Sequence, residues 1–199
     1  MTALTYDKEA VDRAVALHRS LCPGLAVGIK AAQIAVQELG EGPEDLVALV
    51  ESDICAVDGV QAVTGCTLGN RNLVLRDRGK NAYTFWRRSD GKAIRVQGDI
   101  AWHPDYQALR KRVSAGTATA EEVASFDDIT EEEANRILES DATELFQVTA
   151  ISDPIPQTST VDPFVACAIC GEQVMQTRTR QAHGDAVCIP CFEAARAAA

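Results

Sequence analysis

The chain has 199 residues, 46% of them hydrophobic and 24% charged, with seven prolines, a composition that excludes an intrinsically disordered chain. Its length suits one sizeable core plus a small appended module. A net charge of −10 repels phosphate backbones and anionic lipid surfaces, which argues against nucleic acid or membrane as the main partner.

From Asp7 to His18, apolar residues recur at helical spacing, with Thr5 or Asp7 as N-cap. The opening MTALTYDKEAVDR lacks a basic flank followed by an apolar segment, and no apolar run nears the roughly 20 residues of a bilayer helix. A soluble, cytoplasmic chain is expected. Pro23 fits the first turn of a second helix and Gly40 its stop, so this Ala-rich helix begins at Cys22.

LVALVE reads as a buried strand, and CAVDGVQAVTG as a short helix ending at Gly65. NLVLRD, AYTFWRR and KAIRVQ carry strand-forming residues. SDGK offers the Asp-Gly signal of a tight hairpin between the last two, and an antiparallel sheet is expected. DYQALRKRVSAG and the acidic stretch Thr119–Ser140 read as helices. Thr119 with Glu122, and Thr130 with Glu133, have the spacing of reciprocal capping, and the acidic run is expected to be a solvated face. TELFQVTAIS returns a strand, and DPIPQTSTVDP reads as an extended linker. The expected fold is α+β, helices packed on a mainly antiparallel sheet, with residues 1–155 as the main domain, 156–163 as linker and 164–199 as a zinc ribbon.

Four of the seven cysteines form the pattern C-x2-C-x17-C-x2-C: Cys167, Cys170, Cys188 and Cys191. Two such knuckles can place four thiolates tetrahedrally about Zn2+, and a closed shell leaves no open position for catalysis. Metal binding would contribute much of the folding free energy of so small a segment. A redox reading of the pairs fits less well, because neither is expected to follow a strand and open a long helix. His183 reads as a surface hairpin residue. Arg178 and Arg180 are balanced by nearby acids and by the charge of a tetrathiolate site, so a regulator that binds DNA through the ribbon is disfavoured.

Cys22, Cys55 and Cys66 remain. Cys22 sits where a helix presents unpaired N–H groups, a position that lowers a thiol pKa. His18 precedes it by four residues, so the two are candidate metal ligands or a base and a nucleophile. Cys66 lies in TGCTLGN, whose glycines allow the backbone close to a ligand. The competing reading is structural, since isolated cysteines are among the most buried residue types. Asp58, Asn70 and Lys80 have equally ordinary explanations as a helix-start acid, a turn residue and a surface lysine.

LHRSLCPGLAVGIKAA, CAVDGVQAVTGCTLGNRNL and RGKNAYTFWRR together resemble the FmdE family of formylmethanofuran dehydrogenase proteins, over roughly Leu17 to Arg88. The family's pattern is His-Gly-His-x-Cys-Pro-Gly. His18 matches its first histidine and Cys22 its cysteine, whereas Arg19 replaces the glycine and Ser20 the second histidine. Cys55, Asp58 and Cys66 match the second motif and Lys80 the third. The resemblance implies an α+β homodimer, a trailing zinc ribbon, and association with a molybdenum or tungsten enzyme acting on formylmethanofuran. The first expectation is therefore a metal- or thiol-dependent protein, with a second transition metal held by His18, Cys22, Cys55 and Cys66. The alternative is a non-catalytic subunit that docks onto a larger enzyme.

Overall fold

A computed structural model of the chain describes residues 7–40, 42, 44–157, 163–182 and 184–197. The chain divides into two compact units, Met1–Pro156 and Gln157–Ala199.

In the first unit, helix α1 (Lys8–His18) is capped by Asp7, whose carboxylate accepts the Ala10 N–H at 3.1 Å. Thr5, the other candidate cap, lies outside the described residues. Arg19 ends α1 in the left-handed region (φ 81°), its N–H donating to Val15 O, and the chain turns at once into α2 (Pro23–Leu39). Cys22 is the N-cap of α2 and Gly40 its C-cap, as expected. Strand β1 (Leu46–Val50) is buried throughout. Helix α3 (Ala56–Thr64) stops at Gly65 (φ 69°), and β2 (Leu73–Leu75) follows.

β2 pairs with β1 in parallel. That differs from the antiparallel expectation because α3 is a crossover that carries the chain back to the same edge before it re-enters the sheet. β3 (Ala82–Arg87) and β4 (Ala93–Gly98) form the hairpin, with Gly91 at φ 74° donating its N–H to Arg87 O. Helices α4 (Pro104–Ser114), α5 (Ala120–Ala124), α6 (Phe126–Glu139) and α7 (Ala142–Leu145) lead into β5 (Phe146–Ile151). The sheet order is β2-β1-β3-β4-β5, antiparallel except at the first pair. The fold is α+β, as the pattern of elements implied.

The main core lies between one sheet face (Val50, Tyr83, Phe85, Ile94, Val96) and the apolar sides of α2, α3 and α6. Val47, Leu49, Trp86 and Ala93 occupy the other face with Ile155 packed on them, and Trp86 Nε1–H donates to Asp153 O at 2.9 Å. Asp153 and Ile155, just before the expected linker at 156–163, are therefore part of the sheet's cover. Helices α2 and α3 approach so closely that a Cβ at Gly28 would run into the Ala56 carbonyl, and one at Gly59 into the backbone of Leu25 and Ile29.

The capping box of Thr119 and Glu122 is present in both directions. The second expected box is not. Thr130 lies inside α6, and Glu133 is 3% exposed, accepting the His103 N–H and two bonds from Arg136. The acidic run is thus not uniformly solvated, because α6 turns one of its acids inward to bind the chain entering α4.

The second unit contains β6 (Phe164–Ala166), β7 (Gln173–Met175), a 3₁₀ turn (Gln176–Arg178), β8 (Arg180–Ala182), β9 (Asp185–Val187) and α8 (Ile189–Ala197). β6 pairs with β7 and β8 with β9, both antiparallel. Its core is Cys167, Val187 and Cys188 with Val174 and Phe192. His183 lies outside the described residues. No helix among the described residues is long and apolar enough to cross a membrane.

Candidate metal centres

The turn between α1 and α2 places His18, at the end of one helix, against Cys22, at the start of the next: Cys22 Sγ is 3.6 Å from His18 Nε2. Helix α3 completes the group. Cys55 precedes its first residue, and a ligand atom from each of His18, Cys22 and Cys55 lies within 4.8 Å of the others. Gly24 permits this, since a side chain there would press on Cys55 Cβ at 3.1 Å. The Pro-Gly pair after Cys22 therefore has two local functions. Proline starts the helix, and glycine admits the neighbouring cysteine.

Asp58, in the first turn of α3, lies 2.7 Å from His18 Nδ1 through Oδ2. A carboxylate there holds the proton on Nδ1 and leaves Nε2 as the acceptor facing the two sulfurs, the arrangement that orients metal-binding imidazoles. Gln61 Nε2–H donates to the other oxygen, Oδ1, at 3.3 Å. Sequence reasoning undervalued Asp58 as a helix-start acid. The available signal was its three-residue spacing from Cys55, which puts both on one side of a turn.

The Cys22 thiol departs from expectation. Its pKa is not lowered but raised to about 11, because burial outweighs the N–H of Leu25, which donates to Sγ at 3.4 Å, and because Cys55 stands beside it. A helix N-terminus favours an anion only as far as the site stays solvated, and the packing of α3 removes much of that water. Tyr106 of α4, not singled out from the sequence, also has its hydroxyl pushed up, first by burial and also by the charges of Cys22 and Cys55.

Cys66 is placed elsewhere. It is fully buried in the main core, donates its S–H to Leu46 O at 3.5 Å, and is not one of the three clustered donors. The TGCTLGN loop satisfies itself, Asn70 N–H donating to Thr67 Oγ1 and Thr67 N–H to Asn72 Oδ1. Ser20 is exposed on the bend before Cys22. Lys80 is exposed at the other end of the sheet's central hairpin, in the turn before β3.

In the second unit the sulfurs of Cys167, Cys170, Cys188 and Cys191 all lie within 4.8 Å of one another, with Cys170 and Cys188 3.9 Å apart. Sulfurs about 2.3 Å from a shared tetrahedral ion stand about 3.8 Å apart, so the donor set fits one. N–H groups of Cys170 and Cys188 hold the Cys167 thiol down to about 6, whereas shared hydrogen bonds with Cys188, and burial, push Cys191 up to about 12. Four crowded sulfurs resist ionising together without a cation among them. The second pair does follow a strand, β9, but the helix it opens, α8, has nine residues and is not a long one. What speaks for metal over redox chemistry is the convergence of all four sulfurs.

A family model for FmdE, described as molybdenum formylmethanofuran dehydrogenase operon, matches residues 17–147. A probable S-adenosyl-L-methionine-binding protein of Archaeoglobus fulgidus is 32% identical over 192 residues, covering 90% of this chain but 51% of that protein, so the chain spans about half the length of this relative. A crystal structure of a tungsten formylmethanofuran dehydrogenase FmdE-like protein from Syntrophus aciditrophicus has a TM-score of 0.60 at 22% identity, over 98% of each chain, a likeness of fold. The family match runs from the end of α1, through every residue of the His18–Cys22–Cys55–Asp58 group, to the start of β5, and this chain belongs to the FmdE family.

Proposed function

We propose that this chain is a metal-binding protein of molybdenum- or tungsten-dependent formylmethanofuran dehydrogenase-type one-carbon metabolism, with a reactive centre at His18, Cys22 and Cys55 and a structural zinc at Cys167, Cys170, Cys188 and Cys191. The observation that carries the first centre is the convergence of three donor atoms with Asp58 on the far ring nitrogen of His18. His18, through its imidazole, and Cys22 and Cys55, through their thiolates, would hold a transition-metal ion, which would supply Lewis-acid polarisation of a water or carbonyl oxygen. The chain's own residues set up that chemistry. Asp58 fixes the His18 tautomer, the Leu25 N–H steadies the Cys22 sulfur, and the raised Cys22 pKa means that binding must release the thiol proton. Cys55 takes the third place, and Ser20, standing where the family pattern has its second histidine, is not needed as a donor. The same raised pKa counts against Cys22 acting as a metal-free nucleophile near neutral pH.

A second reading, a non-catalytic subunit that docks onto a larger enzyme, is favoured by exposed Phe164 and by Ile169, which stands exposed between Cys167 and Cys170. Metal analysis separates the two. The first reading expects two metal ions per chain, one lost in Cys22→Ala and the other in Cys167→Ala. A single ion, lost in Cys167→Ala and retained in Cys22→Ala, overturns the first centre and leaves the docking role. The proposal includes a cytoplasmic homodimer, for which light scattering in solution should return twice the chain mass.

A further inference from the structure

In the first unit, and sharing no residue with the His18–Cys22–Cys55 group, the turn before β3 and the end of β4 enclose an open cavity of about 580 Å³, lined by Arg78, Lys80, Asn81, Arg95 and Gln97 among others. Among the described residues three cations and no acid line it, in a chain whose net charge is −10. Beneath it lies Glu51, whose side chain is 2% exposed. Its Oε1 accepts from Arg95 Nε at 3.3 Å and Nη2 at 3.1 Å. Its Oε2 has Arg78 Nη1 at 3.6 Å and no hydrogen bond among the described residues. The backbone carbonyl of Glu51 accepts the N–H groups of both Arg78 and Lys80, and Asp77, the acid nearest in sequence, is turned back onto the Gly79 N–H. One buried residue thus anchors the turn and braces two of the cavity's three cations, Arg78 and Arg95, while the Lys80 ammonium has no ion pair among the described residues.

We propose that this cavity binds a small ligand through a dianionic oxyanion group, either a phosphate or a dicarboxylate. Three positive charges over one buried carboxylate leave an excess of about two, which a dianion neutralises. Holding cations of like sign together costs free energy unless an anion accompanies them, and Glu51 offsets only one. The guanidinium groups of Arg78 and Arg95 suit the planar, forked recognition of carboxylate or phosphate oxygens, and Lys80 adds a mobile point charge. Asn81, whose Oδ1 accepts the Tyr83 hydroxyl at 2.6 Å, keeps its amide nitrogen as a donor and packs it against Gly98.

The test is calorimetric titration of the full-length protein with inorganic phosphate and, separately, with succinate. Lys80→Gln and Arg78→Gln remove exposed charges, so they are expected to fold. Each should weaken binding about tenfold, the value of one charge-assisted contact. Arg76→Gln, an exposed arginine of the same turn outside the lining, should leave affinity unchanged. Phosphate binding with this pattern identifies a phosphate ligand, and succinate binding with this pattern a dicarboxylate. No binding of either, or binding that Lys80→Gln and Arg78→Gln leave at wild-type strength, overturns the proposal.

Discussion

Four side chains make up the proposed first centre, and Asp58 is the one whose effect is indirect. Replacing it with Asn keeps the shape but removes the charge that holds the Nδ1 proton, so Asp58→Asn should lower metal affinity at the first centre by about 10- to 100-fold while the Cys167 cluster keeps its ion. Competition with a chromophoric chelator measures both. Tyr83 supplies a pH prediction. Its hydroxyl is buried at 1% exposure and its pKa is raised well above the ordinary 10.0. Between those limits the unfolded chain has lost the phenolic proton that the folded chain still binds, so stability is undiminished below pH 10.0 and falls as pH rises beyond it. Phenolate absorbance of this tyrosine should therefore appear only as the fold is lost, in step with the far-ultraviolet circular dichroism.

Helices α2 and α3 meet through glycines, and that contact brings Cys55 to Cys22. In Gly59→Ala, better helix propensity contributes about 1 kcal/mol. The new methyl would meet the Leu25 carbonyl and the Ile29 amide, which are backbone and cannot step aside. Overpacking of that kind costs about 1–3 kcal/mol, so the variant should be less stable in urea and bind metal more weakly at the first centre. Helix starts and stops were legible because each rests on a local rule: Asp7 and Cys22 as caps, Pro23 in a first turn, Gly40 and Gly65 as terminators. Thr130 and Glu133 obeyed the same spacing rule and did not cap, because α6 begins earlier and packing pulls Glu133 toward His103. Lys30 was legible only as part of a buried helix. Its ammonium in fact reaches the Leu138 and Ser140 carbonyls at the end of α6, at 2.9 and 2.6 Å.

The two units differ in what holds them together. Met1–Pro156 has a sheet with helices on one face and a chain segment on the other, and an extended apolar core on each. The buried core of Gln157–Ala199 is Cys167, Val187 and Cys188, two of which are ligand candidates. In full-length Cys167→Ala, hydrogen exchange should therefore show protection lost across residues 164–197 and retained in α2 and β1. Protection kept in both would mean that the second unit does not depend on its metal.

Spacing along the chain was enough for the helix boundaries, the buried strand, the hairpin and the four-cysteine cluster, since each depends on residues within a few positions or on a short repeated knuckle. It could not separate Cys55 from Cys66, which lie in one motif eleven residues apart. Folding sends the first to the head of α3 beside Cys22 and the second into the core under Leu46. Nor could it set the charge of Cys22, because a helix dipole is local whereas desolvation depends on which helix packs over the sulfur. Long-range packing, through Gly24, Gly28 and Gly59, determined both.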